Sequence, residues 1–253
     1  MFLFALFIPI SACTQQKAVP VRIAVAANMQ FAIDSLITDF HKETGINCEL
    51  VIGSSGKLTA QIKAGAPYDI FVSADMRYPQ ELYKSGLTTV RPKIYAYGTL
   101  VMWSLKKTGS LTVGYLNSSE VAHIAVADEK LAPYGAAAMQ YLEAVSMKEE
   151  LKRKFVVAQS ISGVNQYITT HNAEVGFTAK SVLLSPEMKG KGSWISIPEN
   201  YYEPLAQGAV IISHEDATAK QQKNVKEFYQ YLFSESAHRI LKSYGYEIKK
   251  GIK

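Results

Sequence analysis

The residues best placed to do chemistry are two serines in a glycine-flanked turn, Gly53-Ser54-Ser55-Gly56. The apolar run at 50–52 predicts a strand before the turn, and apolar residues at positions 58, 62 and 66 predict a helix after it. Hydroxyl groups and free N–H groups at a helix N-terminus attract anions, because the helix dipole places partial positive charge there. The turn therefore predicts an oxyanion site, although a plain N-cap role for these serines stays open.

Three further turns occupy the same kind of place, after a predicted strand and before a predicted helix. They contain Asn28, the segment Pro133-Tyr134-Gly135 and the pair Ser160-Ile161. Parallel strands joined by crossover helices bind ligands at their carboxyl ends. With two turns in each half, the sequence predicts two α/β lobes that face each other across a ligand cleft. Asn is also a good N-cap, so a purely structural role for Asn28 stays open.

Composition narrows the class of protein. The 253 residues suffice for one large or two medium domains, and 48% hydrophobic with 19% charged residues is ordinary for a soluble globular chain. The net charge of +5 comes mostly from scattered lysines, so we expect no nucleic-acid partner. The five histidines are dispersed and form no pair at metal-ligand spacing, so we expect no site for a free metal cation.

The N-terminus carries signals for export. Residues 1–10, MFLFALFIPI, are apolar but too short to span a bilayer, which is typical of a signal-peptide core. The sequence Ile10-Ser11-Ala12-Cys13 resembles a bacterial lipobox, which implies cleavage before Cys13 and its lipidation. Residues 1–12 are thus predicted to be a signal peptide and 13–19 a lipid-anchored tether. Cys48, the other cysteine, lies in an apolar run and is predicted to be a small buried hydrophobe.

An enzymatic function is the main competing class. Ser54 to Lys57 contains S-x-x-K, and Lys107-Thr108-Gly109 is K-T-G, two motifs of serine β-lactamases and penicillin-binding proteins. The K-T-G sequence follows too soon and no S-D-N lies between them, so a serine hydrolase is a poor alternative. The turn is not a P-loop either, since Leu58 stands where Ser or Thr is needed. A pure adhesion lipoprotein would not need four capped turns at one cleft. We expect no enzyme.

Five blocks of sequence together resemble one family, the periplasmic molybdate-binding proteins of molybdate ABC importers. The resemblance covers about residues 20–248, and the long second block is specific in combination with the last. The blocks are AVAANMQFAI, GSSGKLTAQIKAGAPYDIFVSAD, LAPYGAAA, EVGFTAKS and NYYEPLAQGAVI. The resemblance implies a two-lobed type II periplasmic-binding-protein fold, each lobe a mainly parallel sheet flanked by helices. Lobe 1 would hold residues 20–97 and 207–253 and lobe 2 residues 98–206, with hinge strands near Tyr97 and Ala206.

In this family a tetrahedral oxyanion is held without charged side chains, by N–H groups of turns and by hydroxyl or amide side chains. Carried over residue by residue, the ligand-binding positions are Ala27, Asn28, Ser55, Tyr134 and Ile161. Val164 competes with Ile161 as the match to a family valine that acts through its backbone N–H. Some members bind the ligand with a tyrosine where this chain has Ala179, and the Tyr134 hydroxyl is expected to replace that contribution.

The resemblance implies high-affinity binding of molybdate, and of tungstate as well, with delivery to an ABC permease of the inner membrane. Molybdenum would be bound inside its oxyanion, and no separate cofactor is expected. The protein would be a monomeric, membrane-anchored lipoprotein of the periplasm or cell surface. Binding of another tetrahedral oxyanion such as sulfate stays open as the alternative.

Overall fold

The structure, a computed structural model, describes residues 19–249. The predicted signal peptide and Cys13 lie outside the described residues.

Strands and helices alternate along most of this range. The strands are β1 Val21–Ala26, β2 Cys48–Gly53, β3 Ile70–Val72, β4 Lys93–Gly98, β5 Leu100–Ser104, β6 Ile124–Ala127, β7 Phe155–Ala158, β8 Val175–Ala179, β9 Ser193–Ser196 and β10 Leu205–Ile211. The α-helices are α1 Gln30–Thr44, α2 Ser55–Lys63, α3 Arg77–Lys84, α4 Pro133–Ala144, α5 Lys148–Leu151, α6 Ile161–Thr169, α7 Lys180–Leu183, α8 Ala219–Tyr231 and α9 Glu235–Ser243.

The strands form two five-stranded sheets, which define the two lobes. The first sheet has the order β2-β1-β3-β10-β4, and the second has the order β7-β6-β8-β5-β9. In the first, β1 runs parallel to β2 and β3, whereas β10 runs antiparallel to β3 and β4. In the second, β6 is parallel to β7 and β8, whereas β5 is antiparallel to β8 and β9. The predicted two-lobed α/β fold is confirmed.

The sheets are mixed rather than mainly parallel. The parallel pairs are those joined by helices, as the sequence pattern indicates. The antiparallel pairs all involve β10 or β5, the strands that follow a passage of the chain from one lobe to the other. Strand β10, for example, enters the first sheet from the second lobe and runs opposite to β3. Only Thr99 separates β4 of the first sheet from β5 of the second. The predicted domain boundaries stay a prediction.

Each lobe has its own apolar core. Trp103 and Phe177 are buried in the second lobe, and Phe40, Phe228 and Ile33 are buried in the first. A third apolar cluster lies on the other face of the first sheet, under α2 and α3. None of the helices in the described range has the length and apolarity needed to cross a bilayer.

The second strand is only partly buried, although its residues at 50–52 are apolar. Val51 and Ile52 are 38% and 43% exposed, because β2 forms the edge of the first sheet. Cys48 is half-buried rather than fully buried, and its burial raises the pKa of the thiol to about 12. A thiol with this pKa stays protonated and unreactive at neutral pH.

Candidate functional site

The five residues expected to bind a ligand come together at one small cavity between the lobes. Ala27 and Asn28 lie in a 3-10 turn between β1 and α1, and Ser55 is the first residue of α2. Tyr134 is the second residue of α4, and Ile161 is the first of α6. All five line the cavity, and none is more than 3% exposed.

Helix N-termini give this cavity its electrostatic character. The first N–H groups of an α-helix have no partner within the helix, and the dipole adds partial positive charge around them. Ser55 and Ile161 occupy the first positions of α2 and α6, and Tyr134 the second of α4. The described residues that line the cavity include no charged side chain, and Lys57 is exposed to solvent as expected. Such a cavity favours a small anion.

Unpaired polar atoms are concentrated on the same residues. Within the described range, seven buried side-chain nitrogen or oxygen atoms lack a hydrogen-bond partner. Three of them, Asn28 Oδ1, Ser54 Oγ and the Tyr134 hydroxyl, belong to residues lining this cavity. An unpaired buried polar group costs about 1–3 kcal/mol, so the two hydroxyls point to a ligand that accepts from them, whereas Asn28 Oδ1 is an acceptor that an anion cannot satisfy.

The Ser55 side chain is held in place by the neighbouring strand end. The Ala74 N–H donates to Ser55 Oγ at 3.1 Å, which uses one lone pair of the hydroxyl and leaves its hydrogen free. The Thr59 hydroxyl donates to the Ser55 carbonyl at 2.8 Å and ties down the first turn of α2. Ser55 can therefore donate both its N–H and its O–H to one anion.

The side-chain amide of Asn28 was expected to cap a helix or to donate to the ligand, but its N–H groups donate to other side chains. Gln207 Nε2 donates to the carbonyls of Ala74 and Leu205, each at 3.0 Å, which leaves Gln207 Oε1 as an acceptor. Asn28 Nδ2 donates to that oxygen at 2.8 Å and to the Tyr246 hydroxyl at 2.9 Å. The donor end of the amide is thus already used, and Asn28 can offer an anion only its backbone N–H.

The Tyr134 hydroxyl lies deep between the lobes. It lies close to Gly98, where a Cβ would come within 2.0 Å of the phenol oxygen, so β4 must end in glycine there. The Tyr134 hydroxyl also lies beside the Asn28 side-chain amide, but the two groups do not form a hydrogen bond of ordinary geometry. Burial raises the pKa of Tyr134 well above its usual value. The phenol is therefore neutral and adds no negative charge to the cavity, while its contribution to binding stays a prediction.

The two alternatives in the fourth turn have different surroundings, and the choice between them stays a prediction. Ile161 lines the cavity at the start of α6, whereas Val164 is packed in the core of the second lobe. Its neighbour Ser160 is a true N-cap, since its hydroxyl accepts from Gly163 N–H at 3.3 Å. Ala179 is fully buried at the end of β8 and is not among the lining residues.

Hydrogen bonds join the lobes around the cavity. Gly56 N–H donates to the Leu131 carbonyl at 2.9 Å, and the Tyr78 hydroxyl donates to the Lys130 carbonyl at 2.7 Å. On the other side, the Ser181 hydroxyl donates to the Asn28 carbonyl at 2.8 Å. These bonds describe a closed cleft.

Two residues of this region are not predicted by the sequence analysis. Gln207 and Tyr246 orient Asn28 although they lie 179 and 218 residues away along the chain, and no local pattern marks them. Gln207 does fall within the last of the five sequence blocks. Ser54, one of the two serines of the predicted oxyanion turn but not one of the five carried-over positions, also lines the cavity.

The two hydrolase-like motifs do not assemble into a site. Ser54 belongs to the first lobe, whereas Lys107 follows β5 in the second. Lys107 Nζ lies 5.1 Å from the Tyr115 ring centroid. The backbone N–H of Lys107 donates to Ser104 Oγ. Both contacts lie within the second lobe. Lys107 is therefore engaged away from the cavity.

Comparison with known proteins gives a consistent picture. A profile of bacterial extracellular solute-binding proteins matches residues 21–247. The molybdate-binding protein ModA of Azotobacter vinelandii is 35% identical over 240 residues, which is 94% of this chain and 93% of that protein. The structure of the periplasmic molybdate-binding protein of Azotobacter vinelandii superposes with a TM-score of 0.84 at 32% identity, covering 91% of this chain and all of that one.

A more distant relative bears on anchoring. A Bacillus subtilis protein, provisionally named as an ABC transporter substrate-binding lipoprotein, is 26% identical over 245 residues. That match covers 93% of this chain and 89% of the relative.

Proposed function

The chain belongs to the family of bacterial extracellular solute-binding proteins, and from this premise we propose that it binds molybdate and delivers it to an ABC-type importer. Tungstate, an oxyanion of the same shape and charge, would bind as well. The relatives are named as binding proteins, so we propose a binding role rather than a catalytic one. We propose that the protein works as a monomer outside the cytoplasm, with an inner-membrane ABC permease as its partner.

The observation that carries this proposal is a closed, uncharged cavity at three helix N-termini, whose lining residues include three unpaired polar side-chain atoms. A fully ionised tetrahedral anion accepts hydrogen bonds at every oxygen, so it would pair with the N–H groups and unpaired hydroxyls of this lining, although not with Asn28 Oδ1, which is itself an acceptor. Because none of the described residues that line the cavity is Lys or Arg, binding would depend on oriented N–H and O–H groups, whose charge-assisted hydrogen bonds to an anion are strong.

We propose distinct roles for the lining residues. Ser55 would donate its N–H and its hydroxyl, and Tyr134 and Ile161 would donate backbone N–H groups from the second lobe. Asn28 would donate its backbone N–H, and Ala27 would pack against the anion in the same turn. Donors from both lobes would then reach one ligand, which favours the closed cleft over an open one.

Titration calorimetry of the purified protein with sodium molybdate tests the proposal directly. We expect saturable binding with one site per chain and a rise in the melting temperature when molybdate is present, because a ligand that binds only the folded state stabilises it. The absence of heat and of a melting shift with molybdate, tungstate and sulfate alike would refute an oxyanion-binding function.

Ser55→Ala is expected to weaken molybdate binding strongly. The substitution keeps the N–H but removes a charge-assisted donor, and it also leaves the Ala74 N–H without its acceptor. The loss of one such bond costs roughly 1.5–3 kcal/mol, which is roughly 10- to 150-fold in affinity. Calorimetry beside the wild type measures this change. An unaltered affinity would remove Ser55 from the site.

We also propose that Cys13 carries a lipid anchor, for which the lipobox-like sequence and the relative named as a lipoprotein are the support. Cys13→Ser is expected to move the protein from the membrane fraction to the soluble fraction, or to leave it unprocessed. Fractionation of cells expressing the full-length chain, followed by mass spectrometry of its N-terminus, is the measurement. A wild-type mature chain that begins beyond residue 13 would contradict the anchor.

A further inference from the structure

The residue in question is Ser54, which precedes α2 but does not cap it. Within the described range, four α-helices have Ser or Thr at the N-cap position: α2, α6, α8 and α9. The hydroxyls of Ser160, Thr218 and Ser234 accept from a helix N–H at 3.1–3.3 Å. Ser54 has the extended backbone of an N-cap, with φ −71° and ψ 148°, yet its side chain makes no such bond.

The start of α2 also bonds across the cleft. An N-cap hydroxyl normally accepts from the second or third N–H of the helix. In α2 the second N–H belongs to Gly56, and it donates to the Leu131 carbonyl of the other lobe at 2.9 Å. The Ser54 hydroxyl bonds neither this N–H nor the third one, that of Lys57, so it is free for another partner.

That partner must come from the cavity. Ser54 is 4% exposed and lines the cavity next to Ser55, and among the described residues its Oγ has no hydrogen-bond partner. A buried hydroxyl without a partner destabilises the folded protein, and an oxyanion in the cavity would relieve this by accepting its proton. We infer that the Ser54 hydroxyl is a direct donor to the bound oxyanion, in addition to Ser55. This inference rests on the proposed function.

Ser54 and Ser55 differ in the number of hydrogen bonds that their hydroxyls make, and this difference determines how much molybdate affinity each substitution should cost. Ser55 Oγ also accepts the Ala74 N–H, so its removal breaks two hydrogen bonds. Ser54 Oγ holds no protein group, so its removal costs only the bond to the ligand. Ser54→Ala should therefore weaken molybdate binding less than Ser55→Ala, but still by about tenfold or more, the effect of losing one hydrogen bond to a charged group.

The experiment combines molybdate calorimetry with thermal unfolding of the ligand-free protein. For Ser54→Ala and Ser54→Gly, which both lack the hydroxyl, we expect at least tenfold weaker molybdate binding and no decrease in the melting temperature without ligand. Ser234→Ala is the matched control, because its hydroxyl is a true cap for α9. It should lower the melting temperature of the ligand-free protein and leave the molybdate affinity unchanged.

The outcomes separate the inference from the function it rests on. A lower melting temperature without ligand for both Ser54 variants, with wild-type affinity, would make Ser54 an ordinary cap and overturn the inference. Unchanged affinity and unchanged stability would overturn it as well. Failure of the wild-type protein to bind molybdate would instead refute the proposed function, whatever the variants do.

Discussion

Gly56→Ala is expected to bind molybdate roughly 5- to 150-fold more weakly than the wild type, while the ligand-free protein keeps its stability. A Cβ at this position would lie 2.7 Å from the Tyr78 hydroxyl of the same lobe, and 3.0 Å from Leu131 Cα and 3.1 Å from the Leu131 carbonyl oxygen of the opposite lobe. The Tyr78 hydroxyl is the end of a side chain that donates to the Lys130 carbonyl across the closed cleft, so it can shift once the lobes open. Overpacking of this kind costs about 1–3 kcal/mol, and the clash with the Leu131 backbone falls on the closed form alone. Alanine also favours the helix more than glycine does, so the open form should not be weakened.

Small-angle scattering gives the second measurement for Gly56→Ala. Molybdate should reduce the radius of gyration of the wild type, because donors from both lobes must reach one anion. The variant should stay expanded at molybdate concentrations that compact the wild type. Gly114→Ala is the matched control, since its Cβ would meet only Thr112 Oγ1, at an ordinary 3.8 Å. Equal compaction of Gly56→Ala and wild type would show that the Gly56–Leu131 contact does not limit closure.

The second large effect concerns selectivity among oxyanions. We expect the affinity order molybdate and tungstate, then sulfate, then phosphate. Phosphate at neutral pH carries a proton that needs an acceptor, and an unpaired buried donor costs about 1–3 kcal/mol. Sulfate is fully ionised but smaller, so it should lose about one charge-assisted bond, roughly 10- to 150-fold in affinity.

The low place of phosphate in this affinity order depends on whether Asn28 Oδ1, an acceptor in the cavity, is accessible to the ligand. Asn28 Oδ1 is fixed as an acceptor because Gln207 takes the donor end of the amide. The Tyr134 hydroxyl lies beside it and can donate to it, which would hide this acceptor from the ligand. Tyr134→Phe should therefore narrow the preference for molybdate over phosphate. Lys57→Gln should leave the order unchanged, since Lys57 is exposed and outside the cavity lining.

Competition calorimetry at pH 7 with the four anions measures the order in wild type and variants. Tight phosphate binding by the wild type would contradict the picture of a cavity whose acceptor, Asn28 Oδ1, is covered by the Tyr134 hydroxyl. An unchanged molybdate-to-phosphate ratio in Tyr134→Phe would show that Asn28 Oδ1 is not exposed to the ligand.

Local sequence patterns were sufficient for the strand-to-helix turns. The apolar run and glycines around Ser54 and Ser55 predict a strand, a turn and a helix, and the structure has β2, α2 and β3 there. The order of strands and helices indicates parallel pairing, which places the turns at one sheet edge. These features depend on neighbours within about 25 residues, so a single sequence determines them. The family and the two-lobed fold, inferred from five sequence blocks, are confirmed.

Long-range contacts were outside the reach of these patterns. The antiparallel position of β10 and the exposed edge at β2 depend on strands that are far apart in the chain. Helix α4 begins at Pro133, so the segment 133–135, predicted as a turn before the helix, is its first turn and includes Tyr134.

The sequence by itself thus determined which turns could present N–H and hydroxyl groups, because that property is local to each strand end and helix start. Only the tertiary structure decided which atoms of those residues are free. Gln207 and Tyr246 use the Asn28 amide, Ala74 occupies one side of Ser55 Oγ, and the Ser54 hydroxyl makes no cap bond to α2. A polar atom is available to a ligand only when no protein group has taken it, and that depends on every segment packed around the cavity.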